Sequence, residues 1–358
     1  MRFAFVLPNL AGGGAEKAVL KTALALVERG HQADLFLLEK RASYAVDRRI
    51  QQHIVAGKLH RGWLGKRWLA YRLGRTLRRV QPDLVVSTLP FADEVTAMSG
   101  VPRHWCRIAN TLSAEIDKLK RSSPSKAERR LKRYKALYGA RSLIAVSAGV
   151  ARDLTARLGL ASRVATIANP FDLSAIRAQA CEPLPFTPER EYVLHVGRFS
   201  AQKRHDLLLD AWAALPDERD LILLTESTPA LQTMIAERGL SRRVKIAGFQ
   251  TNPYPWMAGA RLLVLCSDHE GLPNVLIEAL ICGTPVISTD CPSGPREILG
   301  AALPSALVPC GDAVALARRM QDFLASPPDL SHLDLSAYSA EQAAVAYEAI
   351  ARAAGGHA

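Results

Sequence analysis

The chain has 358 residues, 49% of them hydrophobic and 22% charged, with a net charge of +12. That balance excludes a disordered, collagen-like or coiled-coil chain, and the length suits two domains of ordinary size. No apolar run approaches the roughly 18 residues that a bilayer crossing needs, and six cysteines without C-x-x-C spacing read as free thiols of a reducing compartment.

Arg2 to Leu7 reads as a buried strand and not a signal segment, because the apolar run is short and no small-residue cleavage site follows. Pro8 to Gly14 is a loop. Ala18, Val19, Thr22 and Leu26 then recur at helical spacing, and Gly30 closes that helix. Ala33 to Leu38, Asp83 to Ser87 and Ser142 to Ser147 are short strand-like runs beside helical pattern. Strand alternating with helix predicts a parallel, doubly wound sheet. Residues 169–191 are rich in proline and charge and read as a linker. The rhythm then restarts with strands at Tyr192 to Val196, Leu221 to Leu224, Val244 to Ile246, Leu262 to Leu265 and Pro285 to Ser288, and a helix from Lys203. The prediction is α/β, with Rossmann-like domains over residues 1–170 and 171–339. Residues 340–358 are expected to form a C-terminal helix packing back on the first domain.

Charge divides along the same line. Residues 1–169 carry 31 Lys and Arg against 12 Asp and Glu, whereas residues 170–358 carry 15 against 22. The basic half should prefer an anionic surface, whether nucleic acid, anionic lipid or a phosphorylated substrate. Residues 58–79 hold eight Lys and Arg and no acid, interleaved with Trp63, Trp68 and Tyr71. Residues 118–141 hold ten against Glu128 alone, and Arg129, Arg130, Lys132 and Arg133 would wrap a helix with charge. Cations beside interfacial aromatics fit anionic lipid better than a merely solvated helix face. No helix-turn-helix, RNP or zinc pattern supports a specific nucleic acid. Residues 118–141, through those four side chains, are the candidate acceptor and membrane contact.

Three stretches carry candidate chemistry. Gly12, Gly13 and Gly14 stand between strand and helix, where backbone N–H groups receive anions. The spacing is neither G-x-G-x-x-G nor a Walker loop, so dinucleotide and ATP binding lose support. Gly197, Arg198 and Lys203 follow a strand, where open α/β sheets bind ligands and two cations suit a diphosphate. Glu270-Gly271-Leu272-Pro273-Asn274-Val275 leads into Glu278, eight residues after the first glutamate. Gly271 and Pro273 put Glu270 in a loop and Glu278 in the helix that follows, whose first amides stand open. A carboxylate on each side of that helix start suits a sugar and a ribose around a diphosphate.

Together these motifs resemble glycosyltransferase family 4, the retaining nucleotide-sugar transferases. The matching stretches are the glycine loop, H-V-G-R-F-S-A-Q-K, the E-x₇-E segment and G-T-P-V-I-S-T-D-C-P-S-G-P-R-E-I-L. Their wording is most similar to bacterial enzymes that build lipid-linked or surface glycans. The resemblance implies GT-B architecture, with two Rossmann-like domains facing across an interdomain cleft. It implies that Arg198 and Lys203 bind the donor diphosphate, that Glu270 meets the transferred sugar, and that these three are the catalytic set. Gly13, Gly14, Gly197, Gly271, Leu272, Asn274 and Val275 would bind the donor, and Glu278 its ribose. Arg296 and Glu297 are weaker candidates.

Two departures from the family pattern stand out. Thr225-Glu226-Ser227 replaces a second glycine turn, and Asn110 stands where many members place a histidine. His104 reads as a non-catalytic loop residue, His195 as a core histidine, and His269 is left unassigned. No D-x-D pair supports a metal, so a metal-independent enzyme without cofactors is expected. The implied activity is transfer of a hexose or N-acetylhexosamine from a nucleotide-sugar, with UDP preferred. The acceptor would be a lipid-linked or lipopolysaccharide-type glycan at the inner face of the cell membrane, reached by a peripheral cytoplasmic protein. A sugar-nucleotide epimerase of the same fold and a catalytically silent membrane scaffold are the competing readings.

Overall fold

The computed structural model describes residues 1–11, 13–41, 45–160, 162–184, 188–216 and 218–355. Gly12 of the glycine loop and Pro185 of the proline-rich stretch lie outside the described residues. The chain divides into two compact units, Met1–Pro170 with Ser336–Ala358, and Phe171–Leu335.

The first unit opens with β1 (Arg2–Leu7), α1 (Gly14–Glu28), β2 (Gln32–Leu37), β3 (Gln51–Ile54), α2 (Trp63–Val80), β4 (Leu84–Thr88) and α3 (Pro90–Met98). It continues through β5 (His104–Ile108), α4 (Leu112–Ser122), α5 (Pro124–Tyr138), β6 (Ser142–Ala145), α6 (Ala148–Arg152) and β7 (Val164–Thr166). The seven strands are parallel in the order β3-β2-β1-β4-β5-β6-β7. Helices cover both faces, which is why the strands read as unbroken apolar runs and not as alternation. Phe3, Phe5 and Leu7 face Val19 and Leu26 of α1, while Ala4 and Val6 face Leu69, Leu73 and Leu77 of α2 and Val95 of α3.

The second unit contains α7 (Leu173–Ala180), β8 (Tyr192–Val196), α8 (His205–Ala213), β9 (Asp220–Leu224), α9 (Pro229–Glu237), β10 (Val244–Ile246) and α10 (Tyr254–Ala258). β11 (Leu262–Leu265), α11 (Asn274–Ile281), β12 (Val286–Thr289), α12 (Pro295–Leu299), β13 (Leu307–Val308) and α13 (Ala313–Ala325) complete it. Its parallel order is β10-β9-β8-β11-β12-β13. Both sheets therefore have Rossmann-like order, and the α/β expectation holds.

The chain then returns to the first unit as α14 (Ala340–Gly355). Ala343, Ala344, Tyr347, Ile350 and Ala351 form its buried stripe, and the helix lies against α1. Glu348 fastens the contact, with Oε1 2.5 Å from Arg29 Nε and 3.0 Å from His31 Nε2.

Two sequence expectations need correction. Residues 169–191 are not a linker throughout, because α7 forms within them and packs on α10 and α11. Asp172 caps α7 by accepting from the Ala175 amide at 2.9 Å, and Ile176 is buried. Prolines on both sides of this short helix masked it. His104 does not lie in a loop but opens β5, where Cys106 and Ile108 are buried. No helix among the described residues is long and apolar enough to cross a membrane.

Candidate active site

In the second unit the strand order reverses between β8 and β11. Loops that leave neighbouring strands at such a point diverge and open a binding crevice at the strands' C-terminal ends. The loop after β8 carries Gly197, Arg198 and Lys203, and the loop after β11 carries Glu270 to Pro273. The fold thus brings together two motifs that are some seventy positions apart in sequence.

Hydrogen bonds lock the two loops together. The Asp268 amide donates to the Gln202 carbonyl at 2.9 Å, and Gln202 Nε2 donates to the His269 carbonyl at 2.6 Å. Lys203 Nζ donates to Glu270 Oε1 at 2.6 Å, and Ser267 Oγ donates to the same oxygen at 2.6 Å. Glu270 is only 8% exposed. A carboxylate that far from water is tolerable because a cation and a hydroxyl meet it. Ser267 is itself placed by Thr289, whose Oγ1 donates to the Ser267 carbonyl at 2.7 Å. Arg198 is exposed and makes no ion pair or hydrogen bond among the described residues. Gly197 packs beside His195 and the Lys203 stem, where an added Cβ would sit 3.3 Å from His195 Nε2 and 3.4 Å from Lys203 Cδ.

The Glu270 loop ends at Pro273, which caps α11 in an extended conformation. Asn274 and Val275 stand in the first turn, so their amides have no intrahelical acceptor and lie at the positive end of the helix. Glu278 lies one turn beyond Asn274 on the same helix face and is half-buried. Tyr254 OH donates to Glu278 Oε1 at 3.4 Å. Gly271 and Leu272 are buried beneath this turn. A third loop braces it, in which Ser293 and Gly294 take φ of 65° and 93°. A Cβ on Gly294 would run into Pro273 Cδ and sit 3.1 Å from the Gly271 carbonyl oxygen. Only glycine allows that backbone approach.

Other expected residues fall as follows. Arg296 is exposed and paired with Asp290, and Glu297 is half-buried. His195 is fully buried, with Nδ1 2.9 Å from the Val264 carbonyl, and burial pushes its imidazole well below the usual range. His269 is buried. Asn110 accepts from the Thr111 amide at 3.0 Å and reaches Glu115 at 3.4 Å. Gly13 and Gly14 belong to the first unit, where Gly13 caps α1 and Gly14 begins it. That turn follows β1 at the point where the first sheet also reverses order.

On α5, Arg130 pairs with Glu115, Lys132 with Glu128 and Arg133 with Glu94. Arg129 is exposed and makes no ion pair among the described residues. Ser267 and Tyr254 were not singled out from the sequence. Ser267 lies only three residues before Glu270, so the E-x₇-E segment marks its neighbourhood. Tyr254 is 24 residues from Glu278, and only the tertiary fold brings them together. Among the described residues no group of three or more His, Cys, Asp or Glu side chains is arranged to hold a metal ion.

Comparison with known proteins agrees with this architecture. Residues 12–175 match the family described as Glycosyltransferase Family 4, and residues 190–326 match that described as Glycosyl transferases group 1. A Campylobacter jejuni N-acetylgalactosamine-N,N'-diacetylbacillosaminyl-diphospho-undecaprenol 4-alpha-N-acetylgalactosaminyltransferase is 35% identical over 157 residues, 43% of this chain and 42% of that protein. That match spans under half of the relative's length. The lipopolysaccharide 1,6-galactosyltransferase of Escherichia coli K12 is 24% identical over 93% of this chain and 91% of its own. The structure of Anabaena Alr3699/HepE in complex with UDP-glucose superposes with a TM-score of 0.67 at 20% identity, covering 99% of this chain and 98% of that one. The chain therefore belongs to the GT-B glycosyltransferases, with a Family 4 unit followed by a group 1 unit.

Proposed function

We propose that this protein transfers a hexose or N-acetylhexosamine from a UDP-sugar to a lipid-linked or lipopolysaccharide-type glycan, with retention at the anomeric carbon. The observation that carries the reading is the convergence of Lys203, Glu270 and the α11 N-terminus at the switch point of the second sheet. Arg198, Lys203 and the amides of Asn274 and Val275 would take the donor diphosphate and stabilise its charge as it departs. An ammonium has three donors, so Lys203 keeps two for phosphate while one holds Glu270. Glu270 would orient the transferred sugar, and Glu278 the ribose. The acceptor hydroxyl would attack from the face that the leaving group vacates and pass its proton to the departing phosphate. Two cations and a helix start supply positive charge without a metal, so donor binding is expected to be metal-independent.

The relatives' names support the acceptor class, one naming a diphospho-undecaprenol sugar and one lipopolysaccharide. The UDP-glucose complex of the Anabaena protein supports the donor. The basic first unit, with Arg129, Arg130, Lys132 and Arg133 on α5, would meet acceptor phosphate at the inner face of the membrane as a peripheral cytoplasmic protein. Thermal unfolding with UDP, GDP and ADP, each with and without EDTA, tests the donor. At about 100 times its dissociation constant the right nucleotide should stabilise the fold by about 2.7 kcal/mol. A UDP shift indifferent to EDTA supports the proposal. Silence with all three hands the lead to a scaffold. A product that remains a sugar nucleotide, with no acceptor consumed, indicates an epimerase.

A further inference from the structure

α2 turns large apolar side chains outward along half its length. Trp63 is 66% exposed, Leu64 74%, Trp68 43% and Tyr71 64%. No other helix described carries more than one such residue. Single exposed apolar residues are ordinary, but four together mark a binding surface. At 100° per residue the four project within an arc of about 140°, opposite the buried Leu69, Leu73 and Leu77. Arg67 stacks over Trp63 and Arg72 over Trp68, each 5.0 Å from the ring centroid.

We propose that this face of α2 inserts Trp63, Leu64, Trp68 and Tyr71 into the headgroup region of an anionic phospholipid bilayer, while Arg67, Arg72 and Arg75 meet lipid phosphates. Charge selects the occupant, since residues 58–79 hold eight cations and no acid. Residue type selects it too. Trp and Tyr have an apolar body and a polar edge, which suits the lipid–water interface, and arginine stems keep their heads at phosphate level. The α5 cluster is less suited to be the anchor, because three of its four cations are already paired within the chain. Position fits as well. α2 begins after β3 in a parallel sheet, so its aromatic end lies at the edge where α1 begins with Gly13 and Gly14. The inference rests on the proposed lipid-linked acceptor, and it makes docking apolar as well as electrostatic.

The test uses the full chain and sucrose-loaded vesicles of phosphatidylcholine with about 30% phosphatidylglycerol. Trp63→Ser/Leu64→Ser/Tyr71→Ser should lower vesicle partitioning about tenfold or more. Replacing Arg129, Arg130, Lys132 and Arg133 with Ser should lower it less. In about 0.5 M salt, where exposed charges are screened, the wild type should retain binding that the α2 variant lacks. Brominated acyl chains should quench the wild-type tryptophan emission. Trp105, Trp212 and Trp256 are buried, so that quenching reports Trp63 and Trp68. Unchanged partitioning of the α2 variant, the reverse ranking of the two variants, or no quenching would each overturn the inference. A UDP thermal shift on the same proteins separates the two readings. Its presence alongside failed α2 docking sinks the membrane face alone. Its absence in the wild type sinks the transferase reading and leaves the docking result to stand.

Discussion

Lys203 and Glu270 form a 2.6 Å ion pair across the two loops that leave the reversed strands of the second sheet. The pair does two jobs that mutation can separate. It neutralises a carboxylate that is mostly out of water, and it holds the ammonium where a diphosphate is proposed to sit. Lys203→Met should cost about 1–3 kcal/mol of stability, by stranding Glu270. It should also lower kcat about 10²–10³-fold, as expected for the loss of one stabilising charge in the transition state. Adding Glu270→Gln should restore the melting temperature and leave kcat low. A double variant that regained activity together with stability would reduce the pair to a structural tie.

Gly294 presses its backbone on the turn before α11. With φ of 93° and Pro273 in the path of any Cβ, Gly294→Ala should strain both loops. The expected loss is about 1–3 kcal/mol, with weaker donor binding because the α11 amides shift. Thermal melts and donor KM check this. A variant with wild-type values for both would show that the contact does not set the donor loop.

The fold was legible because strand runs in a doubly wound sheet are apolar on both faces. Leu262 to Leu265 and Tyr192 to Val196 declare themselves without their surroundings. β13 did not, as it has only two residues and draws its definition from pairing with β12. Glu270 and Glu278 were legible as candidates, because Glu278 within an apolar helix is hard to explain otherwise and Glu270 opens the same motif. Tyr254 and Thr289 were not, because their roles depend on partners 24 and 22 residues away. The α5 basic run shows the limit of charge counting. Its cations face acids on α3 and α4 as well as Glu128 of its own helix, and that pairing is invisible in a linear count.

A buried network in the first unit should shape the pH dependence of stability. Asp93 accepts from Ser87 Oγ at 2.5 Å and Tyr138 OH at 2.8 Å, and burial pushes its carboxyl up to about 7. His104 Nε2 lies 2.8 Å from the same Ser87 Oγ, and burial pushes its imidazole down to about 3. Folded Asp93 keeps a proton that the unfolded chain releases above about pH 4, so its contribution falls as pH rises to about 7. His104 acts oppositely, because the unfolded chain takes up a proton below about pH 6.5, so its contribution falls as pH drops toward about 3. The two slopes oppose each other between about pH 4 and 6.5. Asp93→Asn should therefore make the urea midpoint climb more steeply with pH across that window than in the wild type. His104→Asn should make it decline. Parallel curves for all three proteins would mean that neither group titrates out of step with the unfolded chain.

The returning helix gives the last prediction. Glu348 is 4% exposed and meets Arg29, His31 and Arg352, and Arg29 holds its carboxyl down to about 2. Glu348→Ala removes the shared acceptor and leaves Arg29 and His31 without it, at about 1–3 kcal/mol. Tyr347→Ala should cost more, about 3–5 kcal/mol, because a fully buried ring over Phe5 leaves a cavity. The destabilisation belongs to the first unit, since α14 is part of that unit and packs on α1. Hydrogen exchange should therefore show lost protection in β1 and α1, with β8 and β11 unchanged. Loss spread equally over both sheets would mean that the units unfold together, and that α14 is a clasp for the whole chain and not the last helix of its first unit.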